Sequence, residues 1–124
     1  MAIVYAGKVF SRVLNDATNT HYSDPECNAK IGAGEKFFVE VRASNVSGTS
    51  PTLLVTLESS NDNVNWATRS TLINLASIVG GPVLTASELG TAAVGGRFQR
   101  LSFKLGGTTP SAYLEAWLTA RNAF

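Results

Sequence analysis

The chain has 124 residues, of which 44% are apolar and 15% charged, and its formal net charge is +1. That length holds one domain with one core of ordinary size, and so much apolar content argues against intrinsic disorder. The charge balance argues against a strong electrostatic nucleic-acid binder, and the single cysteine, Cys27, excludes an internal disulfide.

The N-terminal "MAIVYAGKVF" has no basic leader and no long apolar stretch followed by a cleavage site, so it reads as an edge strand rather than a signal peptide. One cysteine and no export signal suit synthesis in a reducing cytoplasm. No apolar run approaches the roughly 20 residues a membrane helix needs. From Asn15 to Asn28 the chain is rich in Asn, Thr and Asp and shows no strand period. Residues 1–31 are therefore expected to form an N-terminal strand or arm that contacts neighbouring molecules, within a single domain spanning 1–124.

Beyond that point the dominant period is two. "KFFVEVRAS" sets Phe37, Val39, Val41 and Ala43 against Phe38, Glu40 and Arg42. "TLLVTLES" sets Leu53, Val55 and Leu57 against Leu54, Thr56 and Glu58. Near the end, "RFQRLSFKL" groups Leu101, Phe103 and Leu105, and "AYLEAWLTAR" groups Leu114, Ala116 and Leu118. Such alternation marks strands with one face on a core. "NVSGTSP" and "LGGTTPS" punctuate these pairs as hairpin or sheet-crossing loops should. "GAGE" introduces the Phe37 strand, while "VGGP" and "AVGG" bracket a weaker one around residues 83–89. Only "STLINLASIV" and "TASELGTAAV" could instead be short helices, and Gly90 interrupts the second. The expectation is an all-β antiparallel sandwich, jelly-roll-like, of about seven to eight strands.

Candidate chemistry is sparse. Glu40 and Glu58 face outward on strands that would be neighbours, but a hydrolase pair needs one carboxylate raised by burial, and cross-strand surface charge explains both residues more simply. "THYSDPEC" brings His21, Asp24, Glu26 and Cys27 together, yet the chain holds no second His or Cys for a zinc site. A turn centred on Ser23-Asp24-Pro25 accounts for the same residues. No glycine-rich turn lies between a strand and a helix, so no phosphate loop is expected. The expectation is no catalytic residue, cofactor or metal.

Two groups of residues remain. Arg100, Lys104, Tyr113, Trp117 and Arg121 combine basic and aromatic side chains. They suit intersheet packing or a protein interface, where Trp, Tyr and Arg anchor contacts, ahead of single-stranded nucleic acid. Asn61-Asp62-Asn63-Val64-Asn65, followed by Trp66, reads first as a hairpin closed by Asn and Asp side chains. A sugar-reading loop built on Asn61, Asp62, Asn63 and Trp66 ranks second, and calcium third, since Asp62 is the loop's one carboxylate.

"LESSNDNVNW" resembles the hairpin of many β-sandwich modules, in which S-N-D-G-x-N-W joins two strands; Asn63 stands at the glycine position. Such hairpins occur in discoidin-like and carbohydrate-binding domains and in small virion proteins of tailed bacteriophages. "GGRFQRLSFKLGGTTPSAYLEAWLTARN" is similar to the final hairpin of small phage structural proteins. The resemblance covers residues 53–69 and 95–122. It implies a non-enzymatic virion protein, expected to decorate or cement a capsid, with its own copies (a trimer, for example) and a major capsid or other virion protein as partners. The alternative it implies is a carbohydrate-binding module with a glycan as partner. Neither implies a membrane or a nucleic-acid partner.

Overall fold

A computed structural model describes residues 3–24, 26–27, 36–79, 82–90 and 98–121. Seven strands are described: β1 (Ile3–Leu14), β2 (His21–Tyr22), β3 (Glu26–Cys27), β4 (Lys36–Ser60), β5 (Ala67–Leu75), β6 (Val83–Gly90) and β7 (Phe98–Arg121). All their pairings are antiparallel. "STLINLASIV" is not helical: it runs through β5 into the loop that follows. Residues 85–90 of "TASELGTAAV" lie in β6. "GAGE", "AVGG" and Arg97 lie outside the described residues.

Two strands organise everything else. β4 has 25 residues and β7 has 24, and they pair along nearly their whole lengths, from Lys36↔Arg121 to Ser60↔Phe98. "NVSGTSP" and "LGGTTPS" do not end these strands. They are the places where both bend, marked by register shifts between Ser44 and Thr52. The two segments flanking "LGGTTPS" therefore form no hairpin with each other; each continues along the matching half of β4. The bend needs left-handed backbone at Asn45, Gly48, Ser50, Gly107 and Thr109. At two of these positions only glycine fits. A Cβ on Gly48 would lie 2.7 Å from the Thr109 carbonyl oxygen, and one on Gly107 would lie 2.7 Å from the Ser50 and Thr49 carbonyls. The two corners are thus locked into each other, backbone against backbone.

Bending one ladder in the middle makes two layers. The first has the order β1–β7–β4–β6 and uses residues 36–44 of β4 and 113–121 of β7. The second uses residues 52–60 and 98–106, with β5 beside β4 and with β2 and β3 beside β7. Their apolar faces meet. Val39, Val41, Leu114 and Ala116 from the first, and Leu53, Val55, Phe103 and Leu105 from the second, are all buried. Phe10 of β1 stacks on Phe103 across the layers, with ring centroids 4.1 Å apart. This is an all-β sandwich, and the strand faces are those that the period-two pattern assigns. Ile78, in the crossing from β5 to β6, is fully buried and donates its amide to the Pro51 carbonyl at 3.2 Å.

The described residues of the N-terminal third are built into this frame. β1 supplies Phe10 and Leu14 to the core. Ser23 exchanges two hydrogen bonds with Leu101: its amide donates to the Leu101 carbonyl and its Oγ accepts from the Leu101 amide, both at 2.9 Å. Among the described residues no helix is long and apolar enough to cross a membrane.

Candidate functional site

Opposed residues of an antiparallel pair point to the same side of a sheet, so the ladder assigns every outward side chain to a row. In the second layer one row is Glu58↔Arg100 and another is Leu54↔Lys104. In the first layer the rows include Ser44↔Tyr113, Arg42↔Glu115 and Glu40↔Trp117. The residues expected to form one interface are consequently split. Arg100 and Lys104 lie on one outer face of the sandwich, and Tyr113 and Trp117 on the other. The Arg121 backbone pairs with Ile3 and Lys36, and its side chain lies outside the described residues. Glu40 and Glu58 are separated in the same way, in different layers, so they do not converge as a hydrolytic pair.

The outer face of the second layer is closed upon itself. The Arg100 guanidinium lies 3.7 Å from the Tyr22 ring centroid and 4.2 Å from that of Trp66. Its Nε donates to Glu58 Oε1 at 2.8 Å. One cation thus fills two aromatic faces and neutralises one carboxylate, with both charged side chains less than a fifth exposed. Lys104 donates to the carbonyls of Ala17 and Thr18, at 3.2 and 3.4 Å, and so pins the loop that leads to β2. Arg69 donates to Ser59 Oγ at 2.5 Å.

The loop that follows Glu58 is also satisfied internally. Asp62 Oδ1 accepts from the amides of Val64 and Asn65, at 2.9 and 2.8 Å, and from Ser60 Oγ at 2.9 Å. Its Oδ2 accepts from the Asn65 side-chain amide at 2.8 Å. The two backbone donors, Asn65 foremost, hold the Asp62 carboxyl far below the ordinary carboxylate range. Asn63 takes a left-handed φ of 59°, which asparagine tolerates. Of the residues weighed as glycan contacts, Asp62 has both oxygens engaged and Trp66 has Arg100 on its ring; Asn61 and Asn63 are exposed.

His21 pairs in β2 with Phe103, and its Nε2 lies 3.5 Å from Asp16 Oδ1, an ion-pair distance but too long to satisfy that buried nitrogen as a hydrogen bond. The side chains of Glu26 and Cys27 lie outside the described residues. Among the described residues no three His, Cys, Asp or Glu side chains gather to hold a metal ion.

The outer face of the first layer differs. Tyr113 shares a hydrogen bond with Ser11 Oγ at 2.5 Å, and Lys8 donates to Glu115 Oε2 at 2.6 Å, which raises the lysine's pKa. Beyond these pairs lies a shallow groove of about 380 Å³, lined by Gly7, Glu40, Arg42, Leu84, Trp117 and Thr119. These residues come from all four strands of the layer. Trp117 is half-buried, while Glu40, Arg42 and Leu84 are exposed, Leu84 at 67%. Lys8 Nζ approaches the indole to 5.4 Å from the β1 side, and Glu40 flanks it on β4. Among the described residues neither Glu40 nor Arg42 has an ion-pair partner. Sequence reasoning singled out Trp117 but not Arg42, Leu84 or Thr119. The outward parity of Arg42 was visible, but its place in the same groove as Trp117 depends on cross-strand register.

No protein-family model matches the chain, and no curated protein sequence does. Solved structures do match. The PBSX exported protein XepA superposes with a TM-score of 0.62 at 19% identity, over 97% of this chain and 38% of that one. The CBM22-1 xylan-binding domain of Paenibacillus barcinonensis Xyn10C superposes at 0.61 with 12% identity, over 99% and 97%. A structure of infectious bursal disease virus, Gx strain, superposes at 0.55 with 12% identity, over 94% and 32%. At these identities the shared feature is the fold. It is a β-sandwich that viral and phage proteins have in common with carbohydrate-binding modules. The chain spans well under half of XepA and of the viral chain, but essentially the whole xylan-binding domain.

Proposed function

We propose that this chain is a non-enzymatic virion structural protein of a tailed bacteriophage, decorating or cementing the capsid lattice. The observation that carries the reading is a sandwich with exposed apolar side chains and edge strands suited to contacts with neighbours. The carboxylates weighed for catalysis lie in different layers, and Asp62, Arg100 and Lys104 are engaged by the protein's own groups. What the fold offers instead is two broad faces and, among the described residues, the edge strands β1, β5 and β6, with apolar side chains exposed at Val13, Val79 and Leu84. Exposed apolar positions and open edges suit contacts with a lattice and with further copies. The fold shared with a PBSX protein and with a virus supports the same reading. Its location would be the virion, after synthesis in the host cytoplasm, and its partners its own copies and a major capsid protein.

Co-sedimentation with shells assembled from the major capsid protein of the same phage tests this reading. Saturable binding at a fixed ratio to capsid subunits is expected, and light scattering would give the oligomer. Shells that sediment free of the chain would overturn the assignment.

A second reading, a carbohydrate-binding module, is favoured by one specific observation: a groove on the first layer sets Trp117 beside Glu40, Arg42 and Thr119, an aromatic face next to groups that bond hydroxyls. A glycan array tests it. Specific retention of any oligosaccharide is expected under this reading, and silence across the array removes it.

A further inference from the structure

Two tryptophans are available to meet a ligand, and the sandwich treats them differently. Trp66 lies under the Arg100 guanidinium, which is itself held by Glu58. A sugar ring stacking there would have to displace a cation from two aromatic faces and leave a largely buried carboxylate unpaired. Trp117 has a more distant cation, Lys8 Nζ at 5.4 Å, drawn away to Glu115, and stands in a groove whose charged neighbours, Glu40 and Arg42, have no ion-pair partners among the described residues.

The groove's chemistry narrows its occupant. One carboxylate and one guanidinium leave the lining close to neutral, which gives no advantage to a polyanion such as nucleic acid. Glu40 offers acceptors, Arg42 offers planar donors, and Thr119 offers a hydroxyl that does either. That mixture matches a molecule covered in hydroxyls, each both donor and acceptor. The indole and Leu84 supply apolar surface for the C–H face of a pyranose. Its six lining residues are few beside the roughly 20–30 residues a side of a stable protein interface. The lining comes from β1, β7, β4 and β6, so the shallow groove crosses the strands, as a site for an extended chain would.

We infer that this groove on the outer face of the first layer binds a neutral, linear polysaccharide, with Trp117 as stacking platform and Glu40 and Arg42 as hydroxyl-reading groups. The inference rests on the second reading above.

Titration calorimetry of the full chain with xylohexaose, cellohexaose and hexagalacturonate, backed by an array of neutral glycans, tests it. At least one neutral oligosaccharide binds. Trp117→Ala weakens that binding about tenfold or more, and the isosteric Glu40→Gln weakens it several-fold. Trp66→Phe leaves it unchanged. Thermal melts of each variant exclude loss of fold, which is not expected because Trp117 and Glu40 lie outside the core. Neutral-glycan binding that survives both Trp117→Ala and Glu40→Gln would overturn the site while leaving the module reading standing. Preference for hexagalacturonate would overturn the neutral class. Silence across every probe would overturn site and module reading together.

Discussion

The two outer faces of the sandwich use the same three residue types to opposite ends. On the second layer, Trp66, Arg100 and Glu58 join with Tyr22 into a closed stack. On the first, Trp117, Arg42 and Glu40 lie in one groove with the arginine and the carboxylate apart. The difference is one of register. Glu58 and Arg100 are directly opposed across β4 and β7, so the cation meets its carboxylate within the sheet and is then covered by rings from both flanks. Glu40 is opposed to Trp117 and Arg42 to Glu115, so the tryptophan takes the place of the counter-ion and Glu115 is already taken by Lys8. Composition alone predicts neither ligand sites nor structural clamps; which one forms depends on who stands opposite whom.

The largest effect is expected at the shared core. Phe103→Ala removes the partner of Phe10 and should cost about 3–5 kcal/mol. Denaturant unfolding followed separately in Trp66→Phe and Trp117→Phe backgrounds should give coincident transitions, because both faces stand on one core. Separate transitions would mean that the layers are independent. At the corner, Gly107→Ala forces a Cβ against two carbonyl oxygens at a φ of +105° and should cost about 3 kcal/mol, read from the same curves.

The contrast itself is tested by a pair of arginines. Arg100→Ala leaves Glu58 largely buried and uncompensated and should cost about 2 kcal/mol, with a shift in the Trp66 emission. Arg42→Ala should change stability by no more than about 0.5 kcal/mol. Equal losses would remove the distinction between a clamp and an open site. The smallest effect concerns the Asp62 loop. Its folded pKa lies below the unfolded value, so its contribution is present above the ordinary carboxylate range and fades as pH falls through the folded pKa. Asp62→Ala should lower the melting temperature near neutral pH and flatten the acid limb of the stability profile. An unchanged acid limb would show that the loop's hydrogen bonds do not contribute to folding.

Much of the sandwich follows from local pattern. Val39, Val41, Leu53, Val55, Leu101, Phe103, Leu114 and Ala116 are buried, as strict alternation requires, because a strand's side chains can face only two ways. The closure of the Asn61–Asn65 loop was equally legible, since Asp62 reaches only backbone two and three residues away. The corners were legible as punctuation but not as bends within continuous strands. Whether "NVSGTSP" ends a strand or folds it depends on "LGGTTPS", 60 residues away, lying alongside. For the same reason the basic and aromatic residues of β7 read as one surface, whereas the bend at Gly107 sends Arg100 and Trp117 to opposite faces.

The strands, their inward faces and the self-closing loop thus follow from period and short-range hydrogen bonding along the chain. Which outward residues meet does not. Cross-strand register is a long-range property, set by how two apolar faces pack and where two glycine corners interlock. That register closes Arg100 onto Trp66 and leaves Trp117 in a groove beside Glu40, with Lys8 drawn off to Glu115.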